Sequence, residues 1–311
     1  MIDLVDFNGY EPGVAFYGGN AGRKIGITYD GSVWMVKYPE PTRGMRGRIA
    51  SYTTSPLSEY LGSHIYALLG VPVHETILGH REGKLVCVCK DFVAETGCQL
   101  VDFHDLKNSM PDDASFGFER RPSDGQSVYL SDVLGTIYSY GLVARVSGVA
   151  DRFWDMFVID ALIGNADRNN TNWGFLVKPD GKLTLAPVFD NGNSFFNKRR
   201  DSQNALRLED ETLLKQDVLV GMQTCYLKDD GHRVNPVKYI MSAADGHCSA
   251  AVVRLMTAYD ERAVFDLIDS LPEEQLGIRI ASAEVKEFYK RCLSERIRRV
   301  FEPTAEKVRR G

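Results

Sequence analysis

The chain has no run of eighteen apolar residues among its 311, which leaves no stretch suited to a membrane-spanning helix. Its first residues, Met1-Ile2-Asp3-Leu4-Val5-Asp6, are acidic where a signal peptide is basic, and no apolar run follows them. A cytoplasmic protein is expected, with export that needs no signal peptide left open. Six cysteines are too few for a disulfide framework in a chain of this length. Cys87 and Cys89 stand two apart without CxxC spacing and are expected as core thiols on one strand face. The histidines form no HExxH pattern and His247-Cys248 is an isolated pair, so no structural zinc is expected. Positive charge is not in excess either. The formal net charge of −5 gives no reason to expect direct contact with nucleic acid. No glycine is followed directly by Lys-Ser or Lys-Thr, which excludes a Walker A loop. What is present in quantity is apolar side chain, 44% of residues, enough for one large domain or two lobes.

The densest cluster of polar chemistry runs from Gly164 to Trp173. An apolar helical run, Phe153 to Ile163, delivers Asp167, Asn172 follows five residues later, and a hairpin-like segment leads to Ala186-Pro187-Val188-Phe189-Asp190. That order suits phosphoryl transfer, which needs a carboxylate to accept the proton of an attacking hydroxyl and oxygen ligands to hold Mg²⁺ on the nucleotide. Asp167 suits the first task, Asn172 and Asp190 the second. Asp, Asn and Gly also crowd into ordinary loops. A calcium loop is the other specific reading, since Asp167, Asn169 and Thr171 alternate as ligands do. It fails because Asn172 stands at the sixth position, where Gly is needed, and no Glu stands at the twelfth. The context of helix, hairpin and a second Asp ending an apolar strand favours phosphoryl transfer.

Nearer the amino terminus, Val14-Ala15-Phe16-Tyr17, a glycine-rich connection, Ile25 to Tyr29, the turn Asp30-Gly31 and Val33 to Lys37 read as strand, turn, strand, tight turn, strand. Gly18, Gly19, Asn20, Ala21 and Gly22 would let backbone N–H groups approach phosphates, or form a plain turn. Lys37 closes its strand. Pro56 to Gly70 reads as a helix whose buried stripe is Leu57, Tyr60, Leu61, Ile65, Leu68 and Leu69, with Glu59 at the edge. A strand lysine on the phosphates, held by a helix glutamate, is the kinase arrangement. The plain alternatives are a solvated lysine and a first-turn glutamate favoured by the helix dipole. Glu82-Gly83 turns into the strand Leu85 to Lys90, after which the chain becomes polar. A boundary is expected there, with residues 1–93 as a nucleotide-binding lobe and 94–311 holding the catalytic loop and metal site. Lys90, Asp91 and Phe92 form the expected hinge, offering backbone groups to adenine. Residues 108–127 read as a loop or insertion. Asn193 to about Asp210 reads as polar connection, and helices are expected at Cys248 to Met256, Glu261 to Ile268 and Ala283 to Val300.

With these residues in this order, the chain resembles the HipA-like kinases, toxins of bacterial toxin–antitoxin systems, and the short relatives of that family. The likeness lies in Gly18 to Lys37, Ser58 to Pro72, Ile163 to Phe175 and Ala186 to Asp190. It implies an α+β, two-lobed protein-kinase-like fold with a small β-rich N-lobe and a larger, mostly helical C-lobe. It also implies phosphorylation of serine or threonine in a protein substrate, using ATP and Mg²⁺. Asp167 would be the catalytic base, Asn172 and Asp190 the metal ligands, and Lys37 the phosphate-binding lysine. Larger HipA proteins carry a further N-terminal subdomain that engages an antitoxin, whereas this glycine-rich loop begins within the first twenty residues. An antitoxin partner is therefore in doubt. Gly18 to Gly26 contains neither Ser nor Thr, so the inactivating autophosphorylation of many members has no target in that loop. Asp190-Asn191-Gly192 replaces the Asp-Phe-Gly of conventional kinases, and switching through a packed Phe is not expected. Two other readings stand beside this one. Asp167-Arg168 with Asn172 also looks like the catalytic loop of phosphatidylinositol kinases, which would make the acceptor a lipid or small molecule. A nucleotide-binding interaction module without turnover is the third, against which the full set of Lys37, Asp167, Asn172 and Asp190 argues.

Overall fold

The computed structural model describes residues 1–15, 17, 22–43, 52–94, 96–109 and 128–310. Five strands, β1 (Val5–Asp6), β2 (Lys24–Tyr29), β3 (Ser32–Lys37), β4 (Thr76–Arg81) and β5 (Lys84–Lys90), form one sheet in the order β1-β4-β5-β3-β2. The two tight turns are where the sequence places them. Asp30-Gly31 and Glu82-Gly83 all take positive φ, between 47° and 75°, the geometry that turns twisted antiparallel strands back on themselves. The register sets Lys37 opposite Lys24 on one side and Cys87 on the other. The expected strand over Val14 to Tyr17 is absent among the described residues there. Gly13 N–H donates to the Gly26 carbonyl at 2.8 Å, so the segment touches β2 without forming a ladder. Gly18, Gly19, Asn20 and Ala21 lie outside the described residues.

Helix α1 (Ser55–Leu68) packs on β4 and β5. Its sequence suggests one apolar stripe, yet every residue from Pro56 to Ser63 is buried. The helix is covered on two sides: by the sheet, and by the segment around Asn191, whose Cβ lies 2.7 Å from where a Gly62 Cβ would sit. Glu59 is therefore interior rather than at an edge, at 1% exposure, and Leu68 projects outward at 43% instead of joining the stripe.

The Val149–Ile163 helix packs against the Gly246–Ala258 helix; every residue from Met156 to Ile163 is buried, while Asp151 in its first turn is exposed. Gly164 ends it at φ 73°, and the chain leaves at once into the 165–173 loop. The strands Gly174–Val177 and Leu183–Leu185 then form the expected hairpin, extended by Gln99–Asp102 into a three-stranded sheet. The long C-terminal helices appear, with Ala283–Arg296 running on through Phe301. A further helix, Asp201–Glu209, lies within the stretch that reads as polar connection. It buries only Asn204 and is held by packing on the Ala283–Arg296 helix, a contact its own sequence does not signal.

One hydrophobic cluster runs continuously from α1 and β5 through the Val149–Ile163 helix to the C-terminal helices. A smaller one, including Phe7, Ile27, Trp34 and Val88, fills the other face of the five-stranded sheet. Cys87 and Cys89 are buried with their sulfurs 3.9 Å apart, as core thiols on one strand face. Among the described residues no helix is long and apolar enough to cross a membrane.

Candidate active site

Lys37 stands at the end of β3 facing α1. Its Nζ donates to Glu59 Oε2 and to Asp190 Oδ1, both at 2.8 Å. Burial disfavours the ammonium, but the Asp190 and Glu59 carboxylates outweigh it and hold the Lys37 pKa well above its ordinary value. Glu59 shows the complementary balance: burial pushes its pKa up, and Lys37 with His74 brings it below the usual carboxylate range. Its second oxygen, Oε1, accepts from His74 Nε2 and from the Asn191 backbone N–H, both at 3.0 Å. Three donors therefore fix one carboxylate, and α1, β3 and the 190–192 turn meet at that point.

Asp160, inside the Val149–Ile163 helix, organises the 165–173 loop from beneath. Its carboxylate accepts from Tyr66 Oη (2.9 Å), Asn165 Nδ2 (3.1 Å), Arg168 Nε (2.9 Å) and Arg168 Nη2 (3.2 Å). The Arg168 guanidinium donates onward to the carbonyls of Asn172 and Phe189 and to Asn191 Oδ1. One buried ion pair thus ties the two ends of the loop to the turn that carries Asp190. Asn191 Nδ2 reaches Ser63 Oγ of α1 at 3.0 Å, a polar peg where conventional kinases place a Phe.

On this base, Asp167 and Asn172 face Lys37 across a cavity of about 240 Å³ whose walls include Lys24, Glu59, Asp190 and Lys198. Asn169 Nδ2 donates to Asp167 Oδ1 at 2.9 Å and fixes the carboxylate orientation. Burial raises the Asp167 pKa, the Asn169 hydrogen bond opposes this, and the Asp190 charge adds to the rise. Asn172 Nδ2 donates to the Asp167 carbonyl at 2.7 Å, which turns the amide oxygen the other way. Asp190 sits at φ 63°, a left-handed conformation uncommon outside glycine. Burial works against its charge, and the Lys37 ammonium outweighs that to lower its pKa.

The structure brings together Lys37, Glu59, Asp167, Asn172 and Asp190, which sequence separates by as many as 153 positions. Gly22 lies at φ 67°, against the Tyr38 carbonyl. Lys90 ends β5, and Asp91 and Phe92 follow it: Lys90 pairs with Glu75 (3.3 Å), Asp91 accepts from Tyr17 Oη (2.8 Å), and Phe92 packs on Phe189. Sequence reasoning missed His74 and Asp160. His74 carried no spacing signal. An acid late in an apolar helical run, in the otherwise uncharged stretch Met156 to Ile163, was the only sign of Asp160.

Comparison with known proteins gives the family and the fold. A model of the HipA-like C-terminal domain matches residues 17–252. The serine/threonine-protein kinase CtkA of Helicobacter pylori is 33% identical over 290 residues, 92% of this chain and 82% of that protein. The crystal structure of a Helicobacter pylori proinflammatory kinase CtkA matches with a TM-score of 0.85 and 29% identity, over 99% of both chains. A chain from the complex of Shewanella oneidensis HipA, HipB and operator DNA shares the fold at a TM-score of 0.56 and 13% identity, covering 97% of this chain and 70% of that one. With most of its length matched in sequence, the chain belongs to the HipA-like C-terminal domain family.

Proposed function

We propose that the protein is a HipA-like protein kinase that transfers phosphoryl from Mg²⁺-ATP to serine or threonine, with Asp167 as proton acceptor. The observation that carries this is the Lys37 ammonium, bonded at once to Glu59 and Asp190 in a cavity whose wall also holds Asp167 and Asn172. The donor set suits Mg²⁺, because the Asn172 amide and the Asp190 carboxylate are hard oxygen ligands on the same cavity. When bound, Mg²⁺ would neutralise charge on the ATP phosphates.

In this reading Lys37 orients the phosphates and Glu59 keeps it extended into the cleft. Asp167, fixed by Asn169, takes the proton of the acceptor hydroxyl, and its raised pKa makes it a better acceptor than an exposed aspartate. Gly18, Gly19, Asn20, Ala21 and Gly22 would cover the phosphates, and Lys90 to Phe92 would face adenine. We place the division into two kinase lobes after residue 93, three residues beyond Lys90, where the last strand of the five-stranded sheet ends. The test is incubation of purified protein with γ-labelled ATP, Mg²⁺ and cell lysate. Label on serine or threonine of this chain or of a lysate protein is expected. Label confined to the lipid extract would favour the phosphatidylinositol-type reading, and no label on any fraction would overturn the proposal.

A further inference from the structure

A second cavity, of about 400 Å³, opens beside the catalytic loop. Gly164, Ala166, Lys198, Arg199 and Arg207 are among the residues that line it, and Asn193, Asn197 and Lys198 line both this cavity and the nucleotide cleft. A molecule lying here would enter the space that Asp167 faces.

The charge of this wall is out of balance. Arg199 donates to both oxygens of Asp217 (2.6 and 3.0 Å), and Arg207 donates to the same carboxylate. Behind them lies Arg296, 2% exposed, which donates to the carbonyls of Leu162 (2.8 Å) and Asp217 (3.4 Å) but to no carboxylate among the described residues. Its Nε has no hydrogen-bond partner. Phe196, also on the cavity wall, has both guanidiniums near its ring, Arg199 at 4.1 Å and Arg296 at 5.6 Å from the centroid. Lys198 is exposed and has no ion-pair partner among the described residues, and its charge acts on Asp167. Among the described residues, Arg199 and Arg207 thus share one carboxylate, Lys198 on the same wall has only the more distant charge of Asp167, and Arg296 behind them has no bonded anion, in a chain whose formal charge is −5. A buried guanidinium without an anion is costly, and burial pulls the Arg296 pKa down. The resulting positive potential, in a low-dielectric wall, favours an incoming anion.

We propose that this cavity is the acceptor groove of the kinase and that it selects peptides carrying an acidic side chain close to the target hydroxyl. The inference rests on the kinase reading and names its substrate class. The groove has room for a few side chains. Lys198, at the junction of the two cavities, is the residue placed to meet an anionic group on the acceptor. Carboxylate and phosphoryl side chains share this chemistry, and separate peptides distinguish them.

The experiment measures kcat and KM for Ser/Thr peptides flanked by Glu, phosphoserine, Gln or Lys, with wild-type protein, Lys198→Gln and Lys198→Glu. In parallel, fluorescence anisotropy measures binding of the labelled Glu-flanked and Lys-flanked peptides without turnover. Wild-type protein should prefer Glu over Lys flanks by about tenfold in kcat/KM, the scale of one charge-assisted contact, and high salt should erode the preference. Lys198→Glu should reverse it. A larger gain with phosphoserine than with Glu would assign the groove to primed substrates. Equal use of all four peptides, or equal anisotropy for Glu and Lys flanks, would overturn the groove while leaving the kinase reading intact. Absence of all transfer from labelled ATP, to peptide or to the chain itself, would remove both.

Discussion

The buried pair Asp160–Arg168 makes a demanding prediction, because both partners are nearly cut off from water. Their side chains are 6% and 2% exposed, and Asp160 accepts four hydrogen bonds. Asp160→Asn keeps the shape but removes the charge, and it presents an NH₂ group to donors that need an acceptor. Arg168 is then an uncompensated buried cation, a change that costs about 3–5 kcal/mol. Against a total stability of roughly 5–15 kcal/mol this is large. At about 2 °C per kcal/mol for a large domain, thermal unfolding should fall by roughly 6–10 °C. The control is Asp151→Asn, which breaks a 3.1 Å pair with Arg254 whose side chains are 59% and 40% exposed. Solvent screening limits that loss to about 1 kcal/mol or less. Both variants are followed by scanning fluorimetry, and phosphoryl transfer is then measured well below either midpoint. Asp160→Asn should lose transfer even where it is folded, since Arg168 also positions Asn172 and Asn191. Equal midpoints for the two variants would refute the claim that this pair holds the loop.

Glu59→Gln retains hydrogen bonding but removes one of the two charges on Lys37, and kcat/KM for ATP should drop about 10–100-fold, the scale of a charge-assisted hydrogen bond. An unchanged kcat/KM would detach Glu59 from the nucleotide site. His74→Phe removes a donor from Glu59 and should lower kcat severalfold to about tenfold. Restoration of kcat by His74→Gln, which keeps a donor, would identify positioning as the cause. Gly62→Val forces a Cβ to within 2.7 Å of the Asn191 Cβ, so overpacking should cost about 1–3 kcal/mol in chemical denaturation. A neutral result would show that α1 and the 190–192 turn are not tightly packed. Asp190→Asn should weaken the Mg²⁺ dependence of ATP binding in calorimetry, since a carboxylate oxygen is the harder ligand. Retention of full Mg²⁺ dependence would move the metal elsewhere.

The legible parts of the sequence were those whose chemistry is local. Asp30-Gly31 specifies its turn within two residues, and Asp167 with Asn172 lies on one short loop, where Asn172 Nδ2 donates to the Asp167 carbonyl. The helix after Pro56 was also legible, but its environment was not. Periodicity assumes one buried face, whereas α1 is covered on two, which is why Glu59 became interior and Leu68 turned outward. Asp160 illustrates the deeper limit. Its meaning depends on Tyr66, 94 positions away, and on an arginine folded back beneath the loop. His74 acquires a role only because Val188 N–H and carbonyl groups dock its segment against the stretch that leads to Asp190. Neither tertiary contact leaves a spacing in the chain.

The central claim is that Asp167 takes the proton of the acceptor hydroxyl without holding the nucleotide. It is tested most directly by single-turnover transfer from γ-labelled ATP with wild-type protein and Asp167→Asn, beside calorimetric titration of both with Mg²⁺-ATP. Transfer should fall by about 10²–10⁴-fold, the contribution of a general base, while Mg²⁺-ATP affinity changes little. Wild-type transfer by Asp167→Asn, or loss of Mg²⁺-ATP binding in that variant, would contradict the account.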